Sequence, residues 1–251
     1  MVLRRAALSL LVFLTISPIH AEPASPSQPA ETEKKPAAPV TVKEGAYTYI
    51  LESGPAPDLS GWMSSDLAPV IKEWYPKIVA MLPGEGFTAT TTVTFRFQDD
   101  MKGVPAWAAG NVISLNADWF RRNLKGEARG CVVHEMVHVV QHYGRGKNPV
   151  PGWVIEGIPD YIRWFLYEPQ TKGAEITRGN LAAAKYDGNY RISANFIDWV
   201  IRTKDKDLLA SLNAACREGK YTEDVWKERT GTSLPDLGAE WKKAHEERLA
   251  K

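Results

Sequence analysis

Residues 128–144 read ARGCVVHEMVHVVQHYG, and Val132, Val133, Val137, Val139 and Val140 surround two histidines and a glutamate within them. That much aliphatic surface requires the segment to be a largely buried helix. His134 and His138 are four apart. On a helix this spacing stacks both imidazoles on one face with Cβ atoms about 5–6 Å apart, so both rings can close on one zinc ion with bonds of about 2.0–2.1 Å. Glu135 lies one position round from His134, where its carboxylate can reach a water on such an ion as the general base of metal-assisted hydrolysis. A bare HExxH segment also occurs on helices that bind no metal, but two unpaired histidines and a glutamate among valines would be costly to bury. His142 is four residues further on. A straight helix cannot bring three successive turns to one tetrahedral ion, so His142 is expected at the surface or behind the ligands.

A catalytic zinc takes a third protein ligand and keeps a position for water. The next stretch with acidic residues in an apolar setting is WVIEGIPDYIRW, residues 153–164, where Glu156 and Asp160 share one helical face. Glu156 is the expected ligand, and Asp160 is expected to accept an imidazole N–H and set its tautomer. The reverse assignment stays open on spacing alone. Trp153, Ile155, Ile158 and Ile162 argue that this face is buried rather than solvated.

Outward from the motif, strand patterns come first and helical patterns afterwards. AYTYILE (46–52) alternates, TATTTVTFRFQDD (88–100) is dense in β-branched residues, and GNVISLNADWF (110–120) offers a short strand over Val112 to Leu115. Between the first two, Leu67, Ile71, Trp74, Ile78 and Leu82 fall at helical spacing, with Pro76 expected to kink or interrupt that helix. Beyond Gly126 the chain reads as helix almost throughout. Ser233 with Asp236 suits an N-terminal cap, and Gly231 suits the end of the preceding helix. The expected class is α+β, a small mixed or antiparallel sheet followed by a mostly helical C-terminal half that carries the HExxH helix.

At the other end, MVLRRAALSLLVFLTISPIHA places Arg4 and Arg5 before an apolar run and a small residue at Ala21, the pattern of a secretory signal peptide over residues 1–21. The run is well short of the roughly 20 residues that span a bilayer. Residues 22–42, rich in Pro, Ala and charge, read as a flexible linker, leaving 43–251 as one domain. The expectation is export to the periplasm or beyond the cell. Cleavage after Ala21 would lower Lys plus Arg from 31 to 29 against 30 Asp plus Glu, a formal charge of −1 that suits no nucleic-acid partner. Cys131 and Cys216 would mature in an oxidising compartment, where they either pair or remain two buried thiols.

From Trp62 to Trp241 the chain resembles the basic secretory proteins of plants and their bacterial relatives, which are zincin-type peptidases. The likeness rests on KEWYPKIV, HEMVHVVQ, GWVIEGIPDYIRW, GNYRISANFIDWV and LNAACREGKYTEDVWKERTG, in that order. It implies a zincin-like metallopeptidase domain with one catalytic Zn2+ and a peptide or protein as substrate. In the wider gluzincin group a downstream glutamate, followed closely by small residues and an acidic residue, supplies the third ligand, and Glu156 and Asp160 look like that pair. The resemblance also points to Tyr190, either as a donor to the tetrahedral oxyanion or as an aromatic packed at a helix start. Pro159 departs from the family, and its presence predicts a helix that begins near Ile155. By the same likeness, GNVISLN is expected either to pair an open edge with an extended peptide or to be a plain sheet strand, and Trp107 and Trp119 line a subsite or belong to the core. Two alternatives share the architecture: a catalytically silent secreted binding protein acting on cell-wall or host components, and a zinc amidase acting on peptidoglycan.

Overall fold

Five strands form a single mixed sheet in the order β1-β2-β3-β5-β4. They are β1 (Val40–Glu44), β2 (Tyr47–Glu52), β3 (Thr92–Gln98), β4 (Ala106–Ala109) and β5 (Val112–Asn116). The computed structural model describes residues 38–143, 149–188 and 190–251. The expected signal peptide lies outside them, as does most of the expected linker. The linker was expected to run to residue 42, yet Val40–Val42 belong to β1, which pairs antiparallel with β2 from Val40 opposite Leu51 onward. The folded unit therefore starts earlier than composition indicates, because that short polar strand is stable only against its neighbour.

β2, β3 and β5 run parallel, with Tyr49 beside Val93, and Leu51, Phe95 and Ile113 in one row. All five of these side chains are buried, as are Phe97 and Leu115. Gly110, at φ 58°, and Asn111 join β4 to β5 as a two-residue hairpin loop, a position where glycine takes positive φ without steric cost. β5 is thus flanked by β3 and β4. The expectation that the GNVISLN strand offers an open edge is corrected: among the described residues the edge on that side is β4, whose AWAA sequence carries little strand signal.

The helices are α1 (Ser60–Trp62), α2 (Ala68–Met81), α3 (Ala117–Asn123), α4 (Ala128–Gln141), α5 (Gly152–Tyr161), α6 (Tyr190–Thr203), α7 (Leu208–Arg217), α8 (Asp224–Thr230) and α9 (Leu234–Ala250). A π-helical turn, Met63–Leu67, leads into α2, and another, Ile162–Tyr167, follows α5. α2 is not interrupted at Pro76, which lies inside it. Likewise α5 begins at Gly152 rather than near Ile155, and Pro159 sits in its interior. Both prolines are held by tertiary packing, since Ile71, Tyr75, Ile78 and Ile158 around them are fully buried. The expected caps are present: Ser233 accepts from the Asp236 N–H, and Gly231 ends α8 at φ 77°.

α4 packs against β4, β5 and α2, and α5 packs closely on α6. Val132, Val133, Met136, Val137 and Val140 are fully buried, so α4 is the central helix its valines predict. Its C-terminal carbonyls are capped from a distance. Arg217, the last residue of α7, donates to Val140 O (2.9 Å) and Gln141 O (3.2 Å), and also to Leu82 O and Pro83 O. Cys131 and Cys216 are separate buried thiols. Among the described residues no helix is long and apolar enough to cross a membrane.

Candidate metal centre

α4 and α5 face each other across the floor of an open cleft of about 980 Å³, walled by β4 on one side and by Tyr190 and Arg191 of α6 on another. His134 and His138 rise from successive turns of α4, and Glu156 meets them from α5. His134 Nε2 and His138 Nε2 are 3.1 Å apart, and each lies 3.2 Å from Glu156 Oε2. Among the described residues these three form a group able to hold a metal ion, their ligand atoms all lying within 4.8 Å of one another.

The outer faces of both rings are also engaged. His134 Nδ1 lies 2.7 Å from Asp160 Oδ1 and His138 Nδ1 lies 2.8 Å from Gln141 Oε1. Carboxylate and amide oxygens accept, so both Nδ1 atoms carry hydrogen and donate. Neutral rings held in this way direct two Nε2 lone pairs at a carboxylate oxygen about 3 Å away, an arrangement of three acceptors that is repulsive unless a positive charge joins them. The electrostatics agree. Burial opposes a charge on His134, but the hydrogen bonds to Asp160 and Glu156 outweigh it and raise this histidine to about 9. Burial likewise opposes ionisation of Glu156, and the two histidines overcome it, holding the carboxyl at about 2. Such an arrangement is stabilised by a positive charge at its centre, either a proton or a cation that displaces it. Nitrogen and oxygen donors at this separation suit zinc, whose bonds to them are about 2.0–2.2 Å.

Glu135 stands beside the cluster and is 7% exposed. Burial raises its proton affinity and Glu156 adds to this, while His134, His138 and the Ala108 backbone oppose it. A carboxylate poised in this way accepts a proton more readily than an exposed one. Tyr190 is 53% exposed at the start of α6, its ring centroid 6.3 Å from that of His134. The charge of Glu156, with burial second, raises its phenol, which therefore keeps its hydrogen. His142 takes left-handed backbone (φ 43°) just past the end of α4, with its ring centroid 6.1 Å from that of Phe87, and is not one of the three clustered donors.

Sequence reading alone missed Gln141, Arg163 and Arg191, and left Trp107 open between a subsite and the core. Gln141, 2% exposed, holds His138, and the only local hint is that it lies three residues after it on the same helix. Trp107, 44% exposed, belongs to the edge strand and lines the cleft, whereas Trp119 packs against the core. Arg163 and Arg191 also line the cleft, tied to Glu127 at 3.0 and 2.9 Å, with both guanidinium groups over the Trp164 ring.

Two helices here present a pair of imidazoles and a carboxylate below an exposed sheet edge, which defines the class as an α+β fold with a candidate metal centre. More particularly, the chain belongs to the BSP family, described as peptidase of plants and bacteria, whose model matches residues 37–241. Two solved structures of a two-domain M1 zinc metallopeptidase, glutamate-to-alanine mutants bound to L-tryptophan and to L-arginine, align with a TM-score of 0.40 and 13% identity. The alignments cover 83% of this chain and 49% of theirs, so the chain spans about half the length of those proteins. No curated protein matches the chain.

Proposed function

We propose that the protein is an exported, zinc-dependent metallopeptidase acting in the periplasm or outside the cell. The observation that carries this reading is the convergence of His134 Nε2, His138 Nε2 and Glu156 Oε2 to within 3.2 Å, with the buried carboxylate of Glu135 beside them. A zinc ion held by these three residues would supply Lewis acidity, making a water nucleophilic near neutral pH and polarising the scissile carbonyl. Glu135 takes a proton from the attacking water and returns it to the leaving amine. An extended peptide pairs with the free edge of β4, which recognises backbone rather than side chains and gives broad sequence selectivity. Tyr190, which keeps its phenolic hydrogen, donates to the developing oxyanion from the opposite wall.

The test is zinc content and cleavage of casein or a peptide library by the purified protein, beside Glu135→Gln and Glu156→Ala. The expected result is about one zinc per chain, turnover lost in Glu135→Gln with its metal retained, and metal weakened in Glu156→Ala. Metal without cleavage of any peptide favours a silent binding protein. Cleavage confined to peptidoglycan amides favours an amidase. Absence of metal removes the mechanism.

A further inference from the structure

We infer that Pro159, although it does not line the cleft, sets the orientation of His138 by freeing the Ile155 carbonyl for Gln141. This rests on the metal-centre reading above and goes beyond it by naming the residues that hold its second histidine. Inside a helix the carbonyl of residue 155 normally accepts from the N–H of residue 159. Proline has no N–H there, and its ring pushes that carbonyl off the helix axis. The structure shows where the carbonyl turns: Gln141 Nε2 donates to Ile155 O at 2.9 Å. A carbonyl can only accept, so it fixes which end of the Gln141 amide faces it. The amide oxygen is left pointing at His138 Nδ1, 2.8 Å away. Nδ1 must then carry the hydrogen, and the Nε2 lone pair faces Glu156.

Each link is chemically directional. Were the Ile155 carbonyl drawn back along its own helix axis to an N–H at residue 159, it would turn away from the Gln141 amide, which would lose the contact that prevents it from flipping. A flipped amide would present N–H to Nδ1 and favour the opposite His138 tautomer, with hydrogen on Nε2 where a metal would bind. Gln141 is buried, so water does not substitute for the missing acceptor. Asp160 performs the corresponding service for His134, but as a carboxylate it has only acceptors and needs no such control. The asymmetry explains why a helix-breaking residue lies one position before Asp160 in the middle of α5.

The experiment measures zinc affinity by chelator competition and the melting temperature of the metal-free protein for Pro159→Ala, Gln141→Ala and the double variant. Pro159→Ala is expected to melt at or above the unmodified temperature, because an interior helical proline is removed, while zinc affinity falls about tenfold. Gln141→Ala is expected to weaken zinc by about 10- to 100-fold, and the double variant to match Gln141→Ala within about twofold rather than show the product of the two losses. A purely structural role for Pro159 would move stability and affinity together. Unchanged zinc affinity in Pro159→Ala, or independent losses in the double variant, overturns the inference. If the unmodified protein binds no zinc, the metal reading fails separately. The inference is then read from the 15N shifts of His138 in the metal-free protein, where Pro159→Ala must lower the Nδ1–H tautomer population, and an unchanged population overturns it.

Discussion

His134 Nδ1 and Asp160 Oδ1 stand 2.7 Å apart across the interface of α4 and α5, with the aspartate 4% exposed. A buried carboxylate behind a metal-facing imidazole does two things at once: it fixes the tautomer and raises the basicity of the far nitrogen. Asp160→Ala is therefore expected to weaken zinc binding by about 10- to 100-fold. Asp160→Asn, which keeps an acceptor oxygen but loses the charge, should fall between. Chelator competition on the three proteins checks the order.

Gly130 lies where α4 passes the Arg163–Glu168 ion pair, whose atoms are 2.6 Å apart and largely buried. A methyl group at position 130 would overlap Glu168 Oε1 and meet Arg163 Nε at 2.6 Å. Gly130→Ala is expected to cost about 3 kcal/mol, from overpacking and from separation of a buried pair. Urea unfolding of the metal-free protein measures it, and a loss below about 0.5 kcal/mol would show that the pair moves aside freely.

His245 links acid stability to the C-terminal helix. Its Nε2 donates to Asn195 Oδ1 at 2.8 Å, and burial, followed by the charges of Arg248 and Arg202, depresses it to about 4. The unfolded ring titrates near 6.5. A histidine depressed on folding contributes stability above pH 6.5 that is lost as pH falls toward 4, because the unfolded chain takes up the proton first. After allowance for screening at a half-buried ring the loss is about 1 kcal/mol. His245→Gln should flatten the dependence of stability on pH between 6.5 and 4, which unfolding curves at several pH values can test.

Trp107 projects from the edge strand into the cleft. It is too exposed for its removal to disturb the core, yet an extended peptide on β4 would lie against it. Trp107→Ala is expected to raise KM about fivefold with kcat little changed, corresponding to roughly 1 kcal/mol of uniform binding. Steady-state kinetics on one peptide decides it; an equal fall in kcat would instead assign the indole to the transition state.

Much of this protein was legible in short stretches of sequence, because helical period and motif spacing are local properties. The four-residue intervals between His134 and His138 and between Glu156 and Asp160 put each pair on one helical face wherever the helices lie, and the valines of 128–144 already required the first helix to be central. The succession of strands and then helices led to α+β for the same reason. What depended on distant partners stayed hidden. β1 looks like the end of a linker and β4 is mostly alanine, so each is a strand only because β2 and β5 align it, and the open edge therefore belongs to β4 rather than β5. Pro76 and Pro159, locally helix breakers, are carried inside helices by packing. The sequence puts Gln141 14 residues from Ile155, and no local rule brings them together. Their contact, and with it the orientation of His138, was decided by the docking of α5 on α4, since a freed carbonyl and an amide pair only when tertiary structure excludes water from both.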